Sequence, residues 1–210
     1  MSAFTGFPVA ALDFYDDLEV DNTKSFWEKH KDTYVSSVKQ PMTDMCDALA
    51  PEFGVAKVFR PYRDVRFAKD KTPYKTHQGA FVAAGPATGW YVEISARGLR
   101  VGAGFYEASG ERLARIREAM ADDKSGPKLQ RVLRKLEKDG FEISGERLKT
   151  SPRGYDADHP RIELLRHKQL FAGKLFGYEG LDSPDVVDWV RADWRALRPL
   201  VEWVAAGAAE

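Results

Sequence analysis

The stretch QGAFVAAGPATGWYVEISARGLRVGAGF, residues 78–105, decides the fold class of this chain. Apolar residues alternate with polar or small residues over 91–96 and again over 99–106, and this period of two is typical of β-strands. Residues 78–84 are a third strand candidate, and the segments at 85–89 and 97–98 have the composition of turns. Short turns between consecutive strands predict an antiparallel sheet.

Helical patterns flank this sheet on both sides. Residues 1–53 carry apolar stripes at helical spacing, with Asn22 as the predicted N-cap of a second helix and Pro41 opening a third. On the C-terminal side, helices are predicted at 111–122, at 127–138, in a short segment capped by Asp158, and from Ser183-Pro184 onward, with a kink at Pro199.

The remaining strand candidates extend the sheet. They are residues 56–67, where Pro61 favours an edge or a bulge, and residues 141–148 and 169–178. Gly102 and Gly104 lie on one face of their strand, which favours a sheet corner or a bulge, with the close approach of another backbone or a ligand as the alternative. We therefore predict an α+β fold with a central, mainly antiparallel sheet flanked by N-terminal and C-terminal helices.

Length and composition favour one globular domain. A chain of 210 residues and 23.6 kDa fits a single domain over 1–210, with helices at 1–53, the sheet at 56–106, and helices with one or two added strands at 111–210. Lys plus Arg and Asp plus Glu are 32 each, so the net charge is zero. A globally basic nucleic-acid binder is therefore excluded, although a local basic site is not.

The expected location is the cytoplasm. No apolar run approaches the roughly 18 residues of a membrane span, and residues 1–6 lack the basic and apolar regions of a signal peptide. Cys46 is the single cysteine, so no internal disulfide is possible, and its place in an apolar helical stripe predicts a small buried side chain.

Positive charge is concentrated in two short segments. Residues 57–77 hold seven basic and two acidic side chains, and residues 147–168 hold six basic and three acidic ones. The rest of the chain is acidic in balance. If the fold brings the two segments together, they form a focused positive site, which favours a small anion over a long polyanion.

The first segment has the residues of an anion site. Arginine captures phosphate or carboxylate with two parallel hydrogen bonds, and lysine adds a point charge. Asp64 and Asp70 supply internal counter-charges, and an Arg–Asp network that only fixes the loops is the alternative. The candidate ligand-binding residues here are Arg60, Arg63, Asp64, Arg66, Lys69, Lys71, Tyr74 and Lys75.

The second segment contains the sequence Pro152-Arg153-Gly154-Tyr155, which predicts a turn that presents Arg153. Its candidate ligand-binding residues are Arg153, Tyr155, Arg166 and Lys168. His159 is a candidate acid or base or part of a helix cap, and Asp64 is the other catalytic candidate. The sequence shows no metal-ligand spacing, no nucleotide-binding glycine loop and no nucleophile motif, so we predict no metal and no cofactor.

These motifs resemble those of an uncharacterised, mainly bacterial family, domain of unknown function 2461 (DUF2461). The resemblance rests on Arg60-x-x-Arg63-Asp64-x-Arg66-Phe67 with Lys71-x-Pro73-Tyr74-Lys75-Thr76, on the Lys149–Tyr155 turn and on Asp158-His159-Pro160, and it covers about residues 7–170. It implies that both basic segments belong to one pattern. It implies no reaction and no catalytic residue.

Three functions stay open. The chain binds a small phosphorylated or carboxylate ligand in a basic pocket, with or without catalysis. Alternatively, a local basic groove binds nucleic acid, with Tyr62, Tyr74, Trp90 and Tyr155 as stacking platforms, although the neutral net charge counts against it. The third option is a structural or interaction protein with an internal arginine network, for which Trp189 and Trp203 would form an oligomer face. The oligomeric state is left open.

Overall fold

A computed structural model describes residues 3–208, so positions 1, 2, 209 and 210 of the predicted domain lie outside the described residues. Within this range the chain forms an α+β fold around a six-stranded antiparallel sheet. The strand order is β1-β2-β3-β4-β6-β5, in which β2, β3 and β4 are the strands of the sequence quoted above. The strands are β1 Lys57–Val58, β2 His77–Gly85, β3 Thr88–Ser95, β4 Gly98–Phe105, β5 Glu142–Ser144 and β6 Leu170–Leu175.

Helices precede and follow the three long strands, as predicted. They are α1 Val9–Val20, α2 Lys24–Thr33, a π-helical segment Tyr34–Lys39, α3 Gln40–Phe53, α4 Gly110–Ala121, α5 Ser125–Lys138, α6 Ile162–Leu165 and α7 Val186–Gly207. Pro41 lies in the first turn of α3, directly after the π-helical segment. A proline has no N–H for helical pairing, so the change of hydrogen-bond pattern at this point has a local cause.

The chain divides into two compact units. The first contains Met1–Val82, Tyr91–Val101 and Leu175–Ala192, and the second contains Ala83–Trp90, Gly102–Lys174 and Asp193–Glu210. A single domain over 1–210 stays a prediction.

The first unit has an aromatic and aliphatic core. Tyr15, Leu18, Trp27, Met45 and Leu49 are among its buried side chains. Cys46 is buried and free, and burial, with the charge of Asp47, raises the pKa of its thiol to about 12. The prediction of a small buried side chain at this position is confirmed.

Two local predictions in the first unit are wrong. The N-cap of α2 is Thr23, whose hydroxyl accepts a hydrogen bond of 3.2 Å from the Phe26 N–H, and not Asn22. The strand predicted over 56–67 is reduced to β1, followed by an isolated bridge at Tyr62. Pro61 interrupts this strand because it lacks the N–H of a regular ladder.

The second unit packs α4 against α5 and α6, and α5 against β5. Buried side chains on facing elements form its core, among them Ile116, Leu133, Leu165 and Trp194. At Gly104 the structure shows the alternative of a close backbone approach, because a Cβ there would lie 2.0 Å from the Leu170 carbonyl oxygen. β4 and β6 pair at this point.

The tryptophans considered for an oligomer face have contacts within their own units. Trp203 donates a hydrogen bond of 3.1 Å to the Ser125 carbonyl, and Trp189 stacks on Phe176 with 6.0 Å between ring centroids. Pro199 lies inside α7, which continues through it to Gly207. Among residues 3–208, no helix is long and apolar enough to span a membrane.

Candidate functional site

The first basic segment forms a small hairpin in the first unit. Tyr62 and Tyr74 pair in an antiparallel bridge. The Arg63 N–H donates to the Pro73 carbonyl at 2.9 Å, and the Lys75 N–H donates to the Pro61 carbonyl at 2.8 Å. Residues 64–72 therefore form a loop that connects two short, paired arms.

Asn22 and Trp27 hold the second arm of this hairpin. The Asn22 side-chain amide donates to the Tyr74 carbonyl at 3.0 Å and accepts from the Tyr74 N–H at 3.1 Å. The Trp27 indole stacks on the Tyr74 ring, with 4.2 Å between centroids and 8° between planes. Tyr74, one of the predicted ligand-binding residues, is buried, with 4% of its surface exposed.

The loop contains its own ion pairs. Arg66 donates two hydrogen bonds to Asp64, at 2.9 and 2.7 Å. Arg63 pairs with Asp70 and also donates to the Thr72 hydroxyl. The Lys71 ammonium donates to the Val65 carbonyl at 2.9 Å. Three of the predicted cationic ligand-binding residues are thus engaged within the loop itself.

Both loop carboxylates are held in their ionised form. The hydrogen bonds from Arg66 lower the pKa of Asp64 below its ordinary value. The hydrogen bonds from Arg63 and Thr72 lower the pKa of Asp70 to about 2. An Asp64 carboxylate with a lowered pKa binds protons poorly at neutral pH, so it is a weak general base.

Arg60 and Lys75 differ from the loop cations because no carboxylate among residues 3–208 pairs with either of them. The Lys75 side chain is half-buried, and its ammonium lies 5.3 Å from the centre of the Phe59 ring. Burial lowers the pKa of Lys75, and the positive charge of Arg60 lowers it further. Two neighbouring cations therefore lie here without an internal counter-ion.

Several polar side chains of β2 and β3 lie next to this pair of cations. The Phe59 ring centroid lies 6.4 Å from that of Tyr91, and the Tyr91 hydroxyl donates a hydrogen bond of 2.5 Å to Glu93. Nε2 of His77 lies 3.8 Å from the same Glu93 oxygen. We name this surface the Lys75 face, and it comprises Arg60, Lys75, His77, Tyr91, Glu93 and Arg100.

The Tyr91 hydroxyl stays protonated on this face. Burial raises its pKa above the ordinary value, Glu93 raises it further, and Arg100 acts in the opposite direction. Its single hydrogen is donated to Glu93, so Tyr91 helps to position that carboxylate on the face and offers no further donor to an anion. Gly79 leaves room for this ring, since a Cβ there would lie 2.6 Å from the Tyr91 hydroxyl oxygen.

Four members of the Lys75 face are absent from the site residues predicted from the sequence, and they are His77, Tyr91, Glu93 and Arg100. The sequence contains part of the pattern that would have identified these residues. Tyr91 and Glu93 alternate with buried Val92 and Ile94, so they share the half-exposed face of β3. The pairing of β3 with β2, which brings His77 beside them, is tertiary information.

The second basic segment lies in the second unit. Arg153 is exposed. Tyr155 packs edge-on against His159, with 6.3 Å between ring centroids. Arg166 pairs with Glu163 at 2.8 Å, and Lys168 pairs with Glu146.

His159 takes part in the local structure at the start of α6, which was the alternative to a role as acid or base. Its Nδ1 accepts a hydrogen bond of 3.1 Å from the Arg161 N–H at the start of α6. The prediction that Asp158 caps this helix is wrong, because Arg161 is the N-cap residue and no side chain caps it. His159 thereby supplies a local contact where Asp158 was expected.

The two basic segments belong to different units, so their convergence stays a prediction. Over residues 3–208, no group of three or more His, Cys, Asp or Glu side chains has the arrangement of a metal site.

Comparison with known proteins gives a family and no activity. The family model described as conserved hypothetical protein (DUF2461) matches residues 10–203. No curated protein matches the chain.

Proposed function

This chain belongs to the DUF2461 family of conserved hypothetical proteins, and we propose that it binds a small phosphorylated or carboxylate-bearing ligand through the Lys75 face. The supporting observation is the pair formed by Arg60 and Lys75, which have no carboxylate partner among the described residues. Arg63 and Arg66 in the adjacent loop are paired with carboxylates, whereas Arg60 and the half-buried Lys75 are not. An external anion would supply the missing counter-charge.

The neighbouring groups suit such a ligand. The Arg60 guanidinium offers a planar pair of donors, and the Lys75 ammonium offers a point charge. The Tyr91 hydroxyl and the His77 ring lie beside these cations, and both are close to Glu93. The Glu93 side chain is 19% exposed and contacts both Tyr91 and His77, so it orients these two side chains. Its negative charge would repel an anion placed directly over it.

We propose that this face binds a ligand, and we propose no reaction there. Asp64 and His159 lie outside the Lys75 face, and no residue of the face is given a catalytic role. Placement in a bacterial cytoplasm is part of the same proposal, since it would provide phosphorylated and carboxylate metabolites and a reducing environment for Cys46. Arg153, Tyr155, Arg166 and Lys168 join the site only if the two units bring them to it.

One observation favours a second function. Tyr62 is 49% exposed and Phe67 is 97% exposed, and both lie on the basic hairpin. Aromatic rings among cations are the usual platform for single-stranded nucleic acid. This function predicts that affinity for an oligonucleotide falls steeply with salt, with a log–log slope of about −0.7 for each phosphate contact.

A thermal-shift panel at constant ionic strength tests the proposed function. The probes are inorganic phosphate, pyrophosphate, sugar phosphates, nucleotides, acetate, dicarboxylates and short oligonucleotides. A ligand at 100 times its Kd adds about 2.7 kcal/mol, and for a domain of this size we expect Tm to rise by about 5–10 °C.

The matched variants are Lys75→Gln and Arg60→Gln, with Lys69→Gln as control. Lys69 is an exposed lysine of the same segment and lies outside the Lys75 face. We expect the ligand-induced rise in Tm to disappear in the first two variants and to persist in the control. A rise that persists in all three variants would refute the assignment to this face, and no rise with any probe would refute the function.

A further inference from the structure

A cationic cavity lies in the second unit, and none of its lining residues belongs to the two basic segments. It has a volume of about 330 Å³ and lies among the β2–β3 hairpin, the first half of α4 and the C-terminal end of α7. Arg112 and Arg115 line one wall. Ala84, Pro86, Ala205 and Ala208 line the others, so the remaining surface is largely aliphatic.

The two arginines have donor atoms without acceptors. Nε of Arg112 and Nε of Arg115 are both buried, and neither has a hydrogen-bond partner among the described residues. The guanidinium of Arg115 lies 3.7 Å from an exposed Glu111 oxygen, and Arg112 has no carboxylate partner within residues 3–208. A buried N–H without an acceptor is unfavourable, so both side chains have unused hydrogen-bonding capacity. Both arginines line the cavity, so their guanidinium groups are its candidate anion-binding groups.

Their spacing allows both to contact one ligand. Residues three positions apart in a helix lie on the same face, so Arg112 and Arg115 project toward the same side of α4. Small side chains also let α7 approach α4 closely, because a Cβ on Gly207 would lie 3.1 Å from that of Ala119.

We propose that this cavity binds a carboxylate that carries a short aliphatic chain. The guanidinium groups would bind the two carboxylate oxygens, and the chain would contact the alanine and proline side chains. A bare phosphate or acetate would satisfy the arginines and leave the aliphatic walls without a contact. The volume is within the range of small-molecule pockets.

The test compares acetate, butanoate, hexanoate and inorganic phosphate by isothermal titration calorimetry at constant ionic strength. We expect the two longer carboxylates to bind with saturation and more tightly than acetate or phosphate. Equal affinity for acetate and hexanoate, tighter binding of phosphate, or no saturable binding by any of the four would overturn the proposal.

Three variants locate the binding. Because a hydrogen bond to a charged group is lost, Arg112→Gln and Arg115→Gln should each weaken hexanoate binding by about tenfold or more. Ala205→Leu keeps both arginines but fills the cavity from the wall opposite them, so we expect it to abolish hexanoate binding. Hexanoate affinity equal to that of the wild type in these variants would contradict the assignment.

The controls separate this site from the Lys75 face. Arg131→Gln removes an exposed arginine of the same unit and should leave hexanoate affinity unchanged. Lys75→Gln should also leave it unchanged, so the two proposals fail independently. If an arginine variant does not fold, Ala205→Leu and the wild-type comparison of chain lengths decide the outcome.

Discussion

The Lys75 ammonium lies 5.3 Å from the centre of the Phe59 ring, so its identified neighbour is an aromatic face and not a carboxylate. Such a contact stabilises a cation only modestly. The pKa of Lys75 is lowered by burial first and by Arg60 second. The folded protein therefore holds this charge at a net disadvantage in the absence of a ligand.

Replacing Lys75 by methionine should stabilise the free protein. A lowered Lys pKa means that the folded state binds the proton less tightly than the unfolded chain, so the charge opposes folding at neutral pH, and this effect is lost as the pH rises from the lowered pKa to 10.5. We expect Lys75→Met to have a higher Tm than the wild type at pH 7. Lys69→Met is the control, and a lower Tm for Lys75→Met than for this control would contradict the account.

The Arg63–Asp70 pair should contribute to stability only above acidic pH. The Asp70 pKa is lowered to about 2 from an ordinary value of 3.8, so its contribution is present above pH 4 and disappears as the pH falls toward 2. Asp70→Asn should therefore unfold at lower urea concentration than the wild type at pH 6. The two proteins should converge near pH 2, and a constant difference across this range would exclude the ion pair as its cause.

Asn22 should be needed for the position of the hairpin. Asn22→Ala leaves the Tyr74 N–H and carbonyl without their partner, and we expect a loss of about 1–3 kcal/mol in the free energy of unfolding. Asn22→Asp keeps an acceptor for the N–H and loses the donor, so its loss should be smaller. Urea denaturation of the three proteins measures this order, and equal stability of all three would show that Asn22 does not hold the hairpin.

Gly79 should matter for ligand binding more than for stability. An alanine there would place its Cβ 2.6 Å from the Tyr91 hydroxyl oxygen and displace the far end of that side chain from Glu93. We expect Gly79→Ala to weaken pyrophosphate binding in a calorimetric titration, with a Tm close to that of the wild type. Gly110→Ala is the control, because its Cβ would meet no atom within 4 Å. Undiminished affinity in Gly79→Ala would remove Tyr91 from the site.

Much of the fold was predictable from local patterns. The alternation over 91–96 and 99–105 predicts β3 and β4 because one face of each strand is buried. The apolar spacing over 127–138 predicts α5, whose buried residues include Leu129, Leu133 and Leu136. These features depend on the spacing of apolar residues, which can be read directly from the sequence.

Other features depend on partners that are distant in the sequence. Asn22 has the composition of a helix cap, yet its amide pairs with the backbone of Tyr74, 52 residues away. The hairpin at 61–75 forms through Tyr62 and Tyr74, and a continuous strand over 56–67 was predicted in its place. The candidate site shows the same limit, because the charged segment reveals Arg60 and Lys75, while His77, Tyr91 and Glu93 join them only through strand pairing.

The central claim is that Lys75 binds an anion, and its own titration is the most direct test. The pKa of the Lys75 ammonium is measured by side-chain NMR at constant ionic strength, without ligand and with inorganic phosphate, pyrophosphate and acetate in turn, and Lys69 serves as internal control. A bound anion stabilises the charged form, so the pKa of Lys75 should start below 10.5 and rise with at least one of these anions, while that of Lys69 stays constant. A Lys75 pKa that is the same with all three anions as without them would contradict the claim.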